Sequence, residues 1–152
     1  MVDAKPTIAL AAADDVEWCA QLMAASEPWI TLRRDLAASH IALVRPGTEL
    51  FVARQIGQRA GFVLVAPYGF AAWPYIASIA VAPESRSHGI GSAMLRFVEQ
   101  YFAGRGHLFL LASSFNDRAQ NVYRRLGYER VGELRDCIVS GASEIILHKR
   151  IA

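Results

Sequence analysis

Apolar and polar residues follow two rhythms along this chain, and the changes between them outline a fold. Thr7 to Ala11 is a short apolar stretch that predicts a strand. Asp14 or Asp15 can then cap a helix in which Val16, Cys19, Leu22 and Met23 recur at helical spacing. Pro28 stands where a second helix can begin, with Ile30, Leu32, Leu36 and Ala37 for its buried side, so Ser26-Glu27-Pro28-Trp29 reads as a turn between two helices. From Glu49 the period shortens to that of strands. Leu50–Ile56, Ala60–Ala66 and Phe70–Val81 are rich in valine, isoleucine and aromatics, and Ile56-Gly57-Gln58-Arg59 and Pro67-Tyr68-Gly69 separate them. That pattern predicts an antiparallel meander.

The last of these strands closes on Ile76, Ala77, Ile79, Ala80 and Val81, and Pro83 ends it because proline cannot donate to a sheet ladder. Arg86, Gly89 and Gly91 follow as Arg-x-x-Gly-x-Gly, after which Ile90, Met94, Phe97, Val98 and Tyr101 share one helical face. The helix, Gly89 to Ala103, terminates at Gly104-Arg105-Gly106, and Leu108 to Ala112 is another apolar strand. A strand–helix–strand crossover makes its two strands parallel and adjacent. Asn116 begins a further short helix with Ala119, Val122, Tyr123 and Leu126 on one face, and Glu129–Val139 and Glu144–Arg150 close the chain as strands joined by Ser140-Gly141-Ala142. The expectation is an α+β (mixed α/β) fold: a mixed, mostly antiparallel sheet of about seven strands with about four helices.

The glycine turn carries chemistry. The first turn of a helix presents backbone N–H groups without partners, and the macrodipole adds about half a positive charge, so phosphate is a natural ligand there. Without a Cβ at 89 and 91, a bulky anion can approach the backbone. Two other phosphate motifs fail on inspection. A P-loop needs a lysine after its second glycine, and no lysine lies between Lys5 and Lys149. A dinucleotide fingerprint needs a third glycine where Met94 stands.

Composition narrows the class further. At 152 residues and 53% hydrophobic content, residues 1–152 read as one domain with a sizeable core. Apolar runs fall below the roughly 18 residues of a membrane span, and Asp3, Asp14 and Asp15 around the N-terminal apolar stretch suit neither a signal peptide nor an anchor. Cys19 and Cys137 lie far apart without a CxxC, and His40, His88, His107 and His148 are scattered, so no metal is predicted and a reduced, cytoplasmic setting is the simplest reading. A net charge of +2 does not call for nucleic acid. Arg86, Arg118, Arg124 and Arg125 either face a phosphorylated ligand or, for the last three, solvate a helix face.

An apolar strand, Val-x-Pro, and Arg86-x-x-Gly89-x-Gly91 on a helix start resemble the acetyl-coenzyme A site of the GNAT superfamily of N-acetyltransferases. Asn116-x-x-Ala119-x-x-x-Tyr123-x-x-x-Gly127-Tyr128 resembles that family's second coenzyme segment, at the expected distance. The likeness covers the chain from about Leu50 onward; the first 45 residues match only in helical layout. It implies a GNAT-like fold whose two parallel strands splay apart in the middle of the sheet. Main-chain groups near Ile79, Ala80 and Val81 would then pair with the pantetheine arm of acetyl-coenzyme A. The pyrophosphate would lie on amides of Arg86, Ser87, His88, Gly89, Ile90, Gly91 and Ser92, and Asn116, Ala119 and Tyr123 would face the arm and its sulfur.

The reaction implied is direct attack of a neutral amine on the acetyl thioester in a ternary complex, with Tyr123 protonating the departing thiolate. A phenol near pKa 10 and a thiol near 8.5 differ by only about 2 kcal/mol. No carboxylate lies between Phe70 and Val81, where such enzymes often keep a base, so Glu27, Ser78 or backbone carbonyls acting through water are the candidates. Trp29, Trp73 and Tyr75 are open to either an acceptor pocket or plain packing. The partner implied is a small-molecule or peptide amine, with no nucleic acid and no membrane; a homodimer is allowed. The alternative is a non-catalytic acyl-coenzyme A-binding or regulatory module of the same fold.

Overall fold

Seven strands pair into one sheet: β1 (Thr7–Leu10), β2 (Glu49–Gln55), β3 (Gln58–Phe70), β4 (Trp73–Val81), β5 (Gly106–Ser113), β6 (Glu129–Leu134) and β7 (Glu144–Ile151), in the order β1-β2-β3-β4-β5-β7-β6. The computed structural model that shows this describes residues 4–152, so Asp3 of the acidic N-terminal stretch lies outside the described residues. All neighbouring strands run antiparallel except β4 and β5, which are parallel. The four α-helices of the described residues are α1 (Asp15–Ala24), α2 (Leu36–Leu43), α3 (Ile90–Tyr101) and α4 (Asp117–Arg125). The parallel pair at the centre is the crossover that strand–helix–strand spacing predicts. Among the described residues no helix is long and apolar enough to cross a membrane.

Period-2 alternation explains the continuous apolar runs of β2 and β3, because both faces of these strands are covered. Phe51 and Val63 point into a cluster with Met94, Leu95 and Val98 of α3 and Tyr123 of α4. Their neighbours Val52, Phe62 and Leu64 point the other way, onto Cys19, Ala20 and Met23 of α1. Each fully buried aliphatic side chain of this kind contributes roughly 1.5–3 kcal/mol relative to exposure.

One irregularity decides where the site forms. Leu64 pairs with Ser78 and Val65 with Ile76, so Ala77 is an extra residue in β4, a bulge. Even spacing would put Ile76 and Ala80 on one face. Instead Ile76 packs with α3 and α4 while Ala80 packs with α1. The bulge reverses the strand's parity and bends it just past its pairing with β5.

Four expectations shift. Pro67-Tyr68-Gly69 does not separate two strands: β3 runs on to Phe70 and the hairpin turns at Ala71–Ala72, with Ala71 at φ 56. The second helix does not begin at Pro28: residues 26–34 form a chain of turns, with Arg33 at φ 60 and a cis Glu27–Pro28 bond, and α2 starts after Asp35, whose Oδ1 accepts the Ala38 N–H at 2.8 Å. Asp35 supplies the cap that Pro28 lacks, and Ile30, assigned to a buried side, is 53% exposed. The strand expected over Glu129–Val139 ends at Leu134, because Asp136 takes a positive φ and its Oδ1 accepts the Gly141 N–H at 2.7 Å, closing a loop. At α1 the Asp14 side chain makes no cap. Asp15 instead accepts the Ala12 N–H through Oδ2 and binds Arg54 of β2 and Arg59 of β3.

Asp15 is 1% exposed. Burial alone would raise its carboxyl, yet the Ala12 N–H and the Arg59 and Arg54 guanidiniums outweigh that and hold it below its ordinary value. A depressed carboxylate stabilises the fold above its unfolded value of about 3.9, and that contribution is lost as pH falls through the folded value. Asp15→Asn is therefore expected to cost about 2–3 kcal/mol at pH 7, below the ~3–5 of a fully enclosed pair because both arginines keep contact with water. Urea melts across pH should show the gap between wild type and variant shrinking below about pH 4.

Candidate active site

β4 and β5 hydrogen-bond only around Tyr75↔Phe109 and Ile76↔Leu110. Their outer edges remain fully paired, β4 with β3 and β5 with β7. Past the bulge the facing edges diverge, leaving Ala77–Val81 and Leu111–Ser113 without ladder partners across the gap. A cleft of about 810 Å³ fills that space, running from the start of α3 past α4 to the 26–34 segment. Extended backbone without strand pairing across the gap, its Ala77 and Val81 carbonyls taken by Ser78 and Arg86, suits a ligand that pairs like a strand.

The phosphate end is built by the glycine turn. Gly89 caps α3 at φ 78, a left-handed conformation that glycine adopts without a Cβ penalty, and Ser87 is also at positive φ. The N–H groups of Ile90, Gly91 and Ser92 have no backbone acceptor among the described residues. A Cβ on Gly89 would meet nothing within 4 Å, and one on Gly91 only Val81 Cγ2 at 3.7 Å. Arg86 donates through Nε to the Val81 carbonyl at 3.2 Å, which aims the turn back along β4. Arg118 and Arg125 line the cleft with Arg86, while Arg124 does not and instead reaches Asn121. The sequence left the helix arginines open between ligand and solvent; two of the three border the cleft.

Tyr123 is held from behind. Asn116 caps α4, its side-chain oxygen accepting the Ala119 N–H at 3.3 Å, and Gln120 donates to the Ser113 and Ser114 carbonyls, fastening α4 to the end of β5. At the far end Lys149 of β7 donates to the Leu126 carbonyl at 2.8 Å and to Glu99 of α3 at 2.9 Å, and Tyr128 donates to the other Glu99 oxygen at 2.9 Å. Tyr123 packs edge-on to Tyr128 and is 9% exposed. Burial pushes its phenol up to about 12, so it stays protonated at any physiological pH. Breaking the brace with Lys149→Met should lower the melting temperature, and it should also slow any reaction that needs the Tyr123 hydroxyl in place; melts beside initial rates read both.

The opposite end collects polar groups from four parts of the chain: Glu27, Trp29 and Arg34 from the 26–34 segment, Tyr75 and Ser78 from β4, Ser113 from β5 and Glu144 from β7. Glu27 is exposed and accepts from the Thr31 hydroxyl at 2.9 Å. Trp29 is buried against Phe62, which favours the packing reading for that ring. Trp73 does not line the cleft; it packs on Phe109 and His107. Burial, then the charge of Glu144, pushes Tyr75 up to about 12. Glu144 carried no signal in the sequence, because a glutamate opening a last strand looks like any solvated strand end.

A model of the acetyltransferase (GNAT) family matches residues 11–128. This chain belongs to the GNAT family of acetyltransferases. It is 29% identical over 162 aligned positions to the N-alpha-acetyltransferase RimI of Mycobacterium tuberculosis, covering 97% of this chain and 94% of that protein. Among solved structures it superposes on the ribosomal-protein-S18-alanine N-acetyltransferase of Escherichia coli with a TM-score of 0.77 at 20% identity, over 97% and 95% of the two chains. An aminoglycoside 6'-N-acetyltransferase solved with coenzyme A gives the same TM-score at 15% identity, over 96% and 97%. The splayed central pair, the seven strands and the four helices are those of the GNAT fold, and the chain is an N-acetyltransferase enzyme. Among the described residues no group of three histidine, cysteine or acidic side chains is placed to hold a metal ion.

Proposed function

We propose that this enzyme, as one domain over residues 1–152, transfers acetyl from acetyl-coenzyme A to a primary amine of a small molecule or peptide by direct attack in a ternary complex. The observation that carries it is the geometry of the β4–β5 gap: unpaired strand edges lead from the bare amides of α3 to the buried Tyr123 hydroxyl. In that gap the pantetheine arm pairs with the main chain of Ile79, Ala80 and Val81. The pyrophosphate rests on the turn from Arg86 through Ser87, His88, Gly89, Ile90 and Gly91 to Ser92, with Arg118 and Arg125 beside it. Asn116, Ala119 and Tyr123 face the thioester. The M. tuberculosis relative, named for N-alpha-acetylation, and the aminoglycoside enzyme span the two kinds of amine acceptor. Both cysteines are free thiols, which suits a cytoplasmic enzyme.

Tyr123 serves as acid for the departing sulfur. Taken alone, a phenol near 12 would be about 5 kcal/mol short of protonating an ordinary thiolate. The exclusion of water that raises the phenol raises the thiolate's proton affinity as well, so the gap narrows toward the ~2 kcal/mol of model groups. Glu27, at the acceptor end, is a candidate for the base.

A thiol-release assay with acetyl-coenzyme A over a panel of primary amines and N-terminal peptides tests this. Release that requires a primary amine, with none from a tertiary amine, is the expected result. No release above hydrolysis with any member would contradict it.

A further inference from the structure

Glu144 opens β7 opposite Ser113 on one side and Leu134 on the other. Ile145, Leu147 and Ile151 pack with α3 and α4, so alternation turns Glu144 to the other face of the sheet, toward Tyr75 and the 26–34 segment. It is 4% exposed, and its Oε1 accepts the Ser113 hydroxyl at 2.8 Å. No hydrogen bond or ion pair from the described residues reaches its Oε2, which is not among their fully buried unpartnered atoms and so keeps an edge open to the cleft. A carboxylate withdrawn from water without a counter-charge is costly. Here the missing charge has a route in, because Glu144 lines the same cleft as Tyr123.

The groups around it are consistent. Tyr75 and Arg34 line the cleft with Glu144; burial, then the charge of Glu144, raises the Tyr75 phenol, Arg34 lowers it, and Cys137 of the β6–β7 loop raises it further. Arg34 is itself drawn down by burial and by Arg45, then partly restored by Tyr75. Burial raises the carboxyl of Glu144, against the Ser113 hydrogen bond, which lowers it. Glu27, by contrast, is exposed and engaged with Thr31.

We propose that Glu144 is the proton acceptor for the incoming amine, which enters as a primary ammonium group between Glu144 and Tyr75. This rests on the acetyltransferase reading of the cleft. Glu144 takes one proton from the ammonium nitrogen, and the freed lone pair forms the N–C bond at the thioester carbonyl carbon. The intermediate collapses as the C–S bond breaks with its electron pair on sulfur. Tyr123 protonates that sulfur, and the second proton lost by nitrogen replaces the one Tyr123 gave. Ammonium and thioester thus become amide, thiol and one proton, which Glu144 returns to solvent.

The test is kcat/KM against pH for wild type, Glu144→Gln, Glu27→Gln and Ser113→Ala with the panel of primary amines, beside a coenzyme A titration. Glu144→Gln should lose about 10²-fold or more in kcat/KM and its acid limb, with coenzyme A affinity unchanged. Ser113→Ala keeps the carboxylate but removes a bond that favours its charged form, so its acid limb should move to higher pH, a shift that packing alone would not produce. If Glu144→Gln does not fold, the Ser113→Ala limb decides. Wild-type turnover with an unmoved limb in Ser113→Ala, or a loss in Glu27→Gln that Glu144→Gln does not share, overturns the role of Glu144 alone. A wild type inert toward all amines overturns the acetyl-transfer reading and this proposal with it.

Discussion

Tyr123→Phe is expected to lower turnover by about 10²- to 10⁴-fold, the range general acid catalysis typically supplies, while the melting temperature and coenzyme A affinity change little. The ring fills its place beside Tyr128 in both forms, so packing is conserved. The hydroxyl has no hydrogen-bond partner among the described residues, so its removal strands no buried protein group. That combination makes the substitution informative: a large rate effect cannot be assigned to a disturbed core. Steady-state kinetics with chemistry rate-limiting, beside a coenzyme A titration, separate three results. A drop at saturation with intact affinity supports the acid. Weaker cofactor binding with an intact rate would make the hydroxyl a positioning group for sulfur. A change below about threefold in both would leave Tyr123 a core residue.

Coenzyme A should stabilise the native state by about 2.7 kcal/mol at 100 times its dissociation constant, which for a domain of this size is a rise in melting temperature of roughly 5–10 °C. Gly89→Val should abolish most of that rise. Its backbone, at φ 78, would carry a strain of about 1–2 kcal/mol in any L residue, so the apo variant melts lower as well. Gly104 controls for this. It has φ 89 and equally open surroundings but does not line the cleft, so Gly104→Val should lower the apo melt while keeping the full coenzyme A shift. An unchanged shift in folded Gly89→Val would remove the glycine turn from the binding site.

Much of this arrangement is written locally in the sequence. The α3 start is legible because a proline, two glycines and a helical apolar face act together between Pro83 and Tyr101, and Asn116 announces α4 by the same local logic. The parallel β4–β5 pair follows from a crossover that spacing alone imposes. The bulge at Ala77 is not legible, since an alanine in an apolar run gives no sign that one register step doubles; it emerges only when β3 and β4 must each satisfy two packed faces. The 26–34 segment misleads because Pro28 is a good first helical residue, yet Arg33 turns left-handed and Asp35 offers the better cap. Glu144 is the clearest case. Its role depends on Ser113, Tyr75 and Arg34, which are 31 to 110 positions away in sequence and meet only through the sheet. The bracing of α4 by Lys149 and Glu99 is hidden for the same reason.

A crystal structure of the coenzyme A complex tests the central claim most directly. The account predicts the pyrophosphate on the amides of Ile90, Gly91 and Ser92, the pantetheine arm hydrogen-bonded along Ile79–Val81, and the sulfur within hydrogen-bond reach of the Tyr123 hydroxyl on the side facing Glu144. Coenzyme A bound outside the β4–β5 gap, or lying in it with its sulfur turned away from Tyr123, would contradict it.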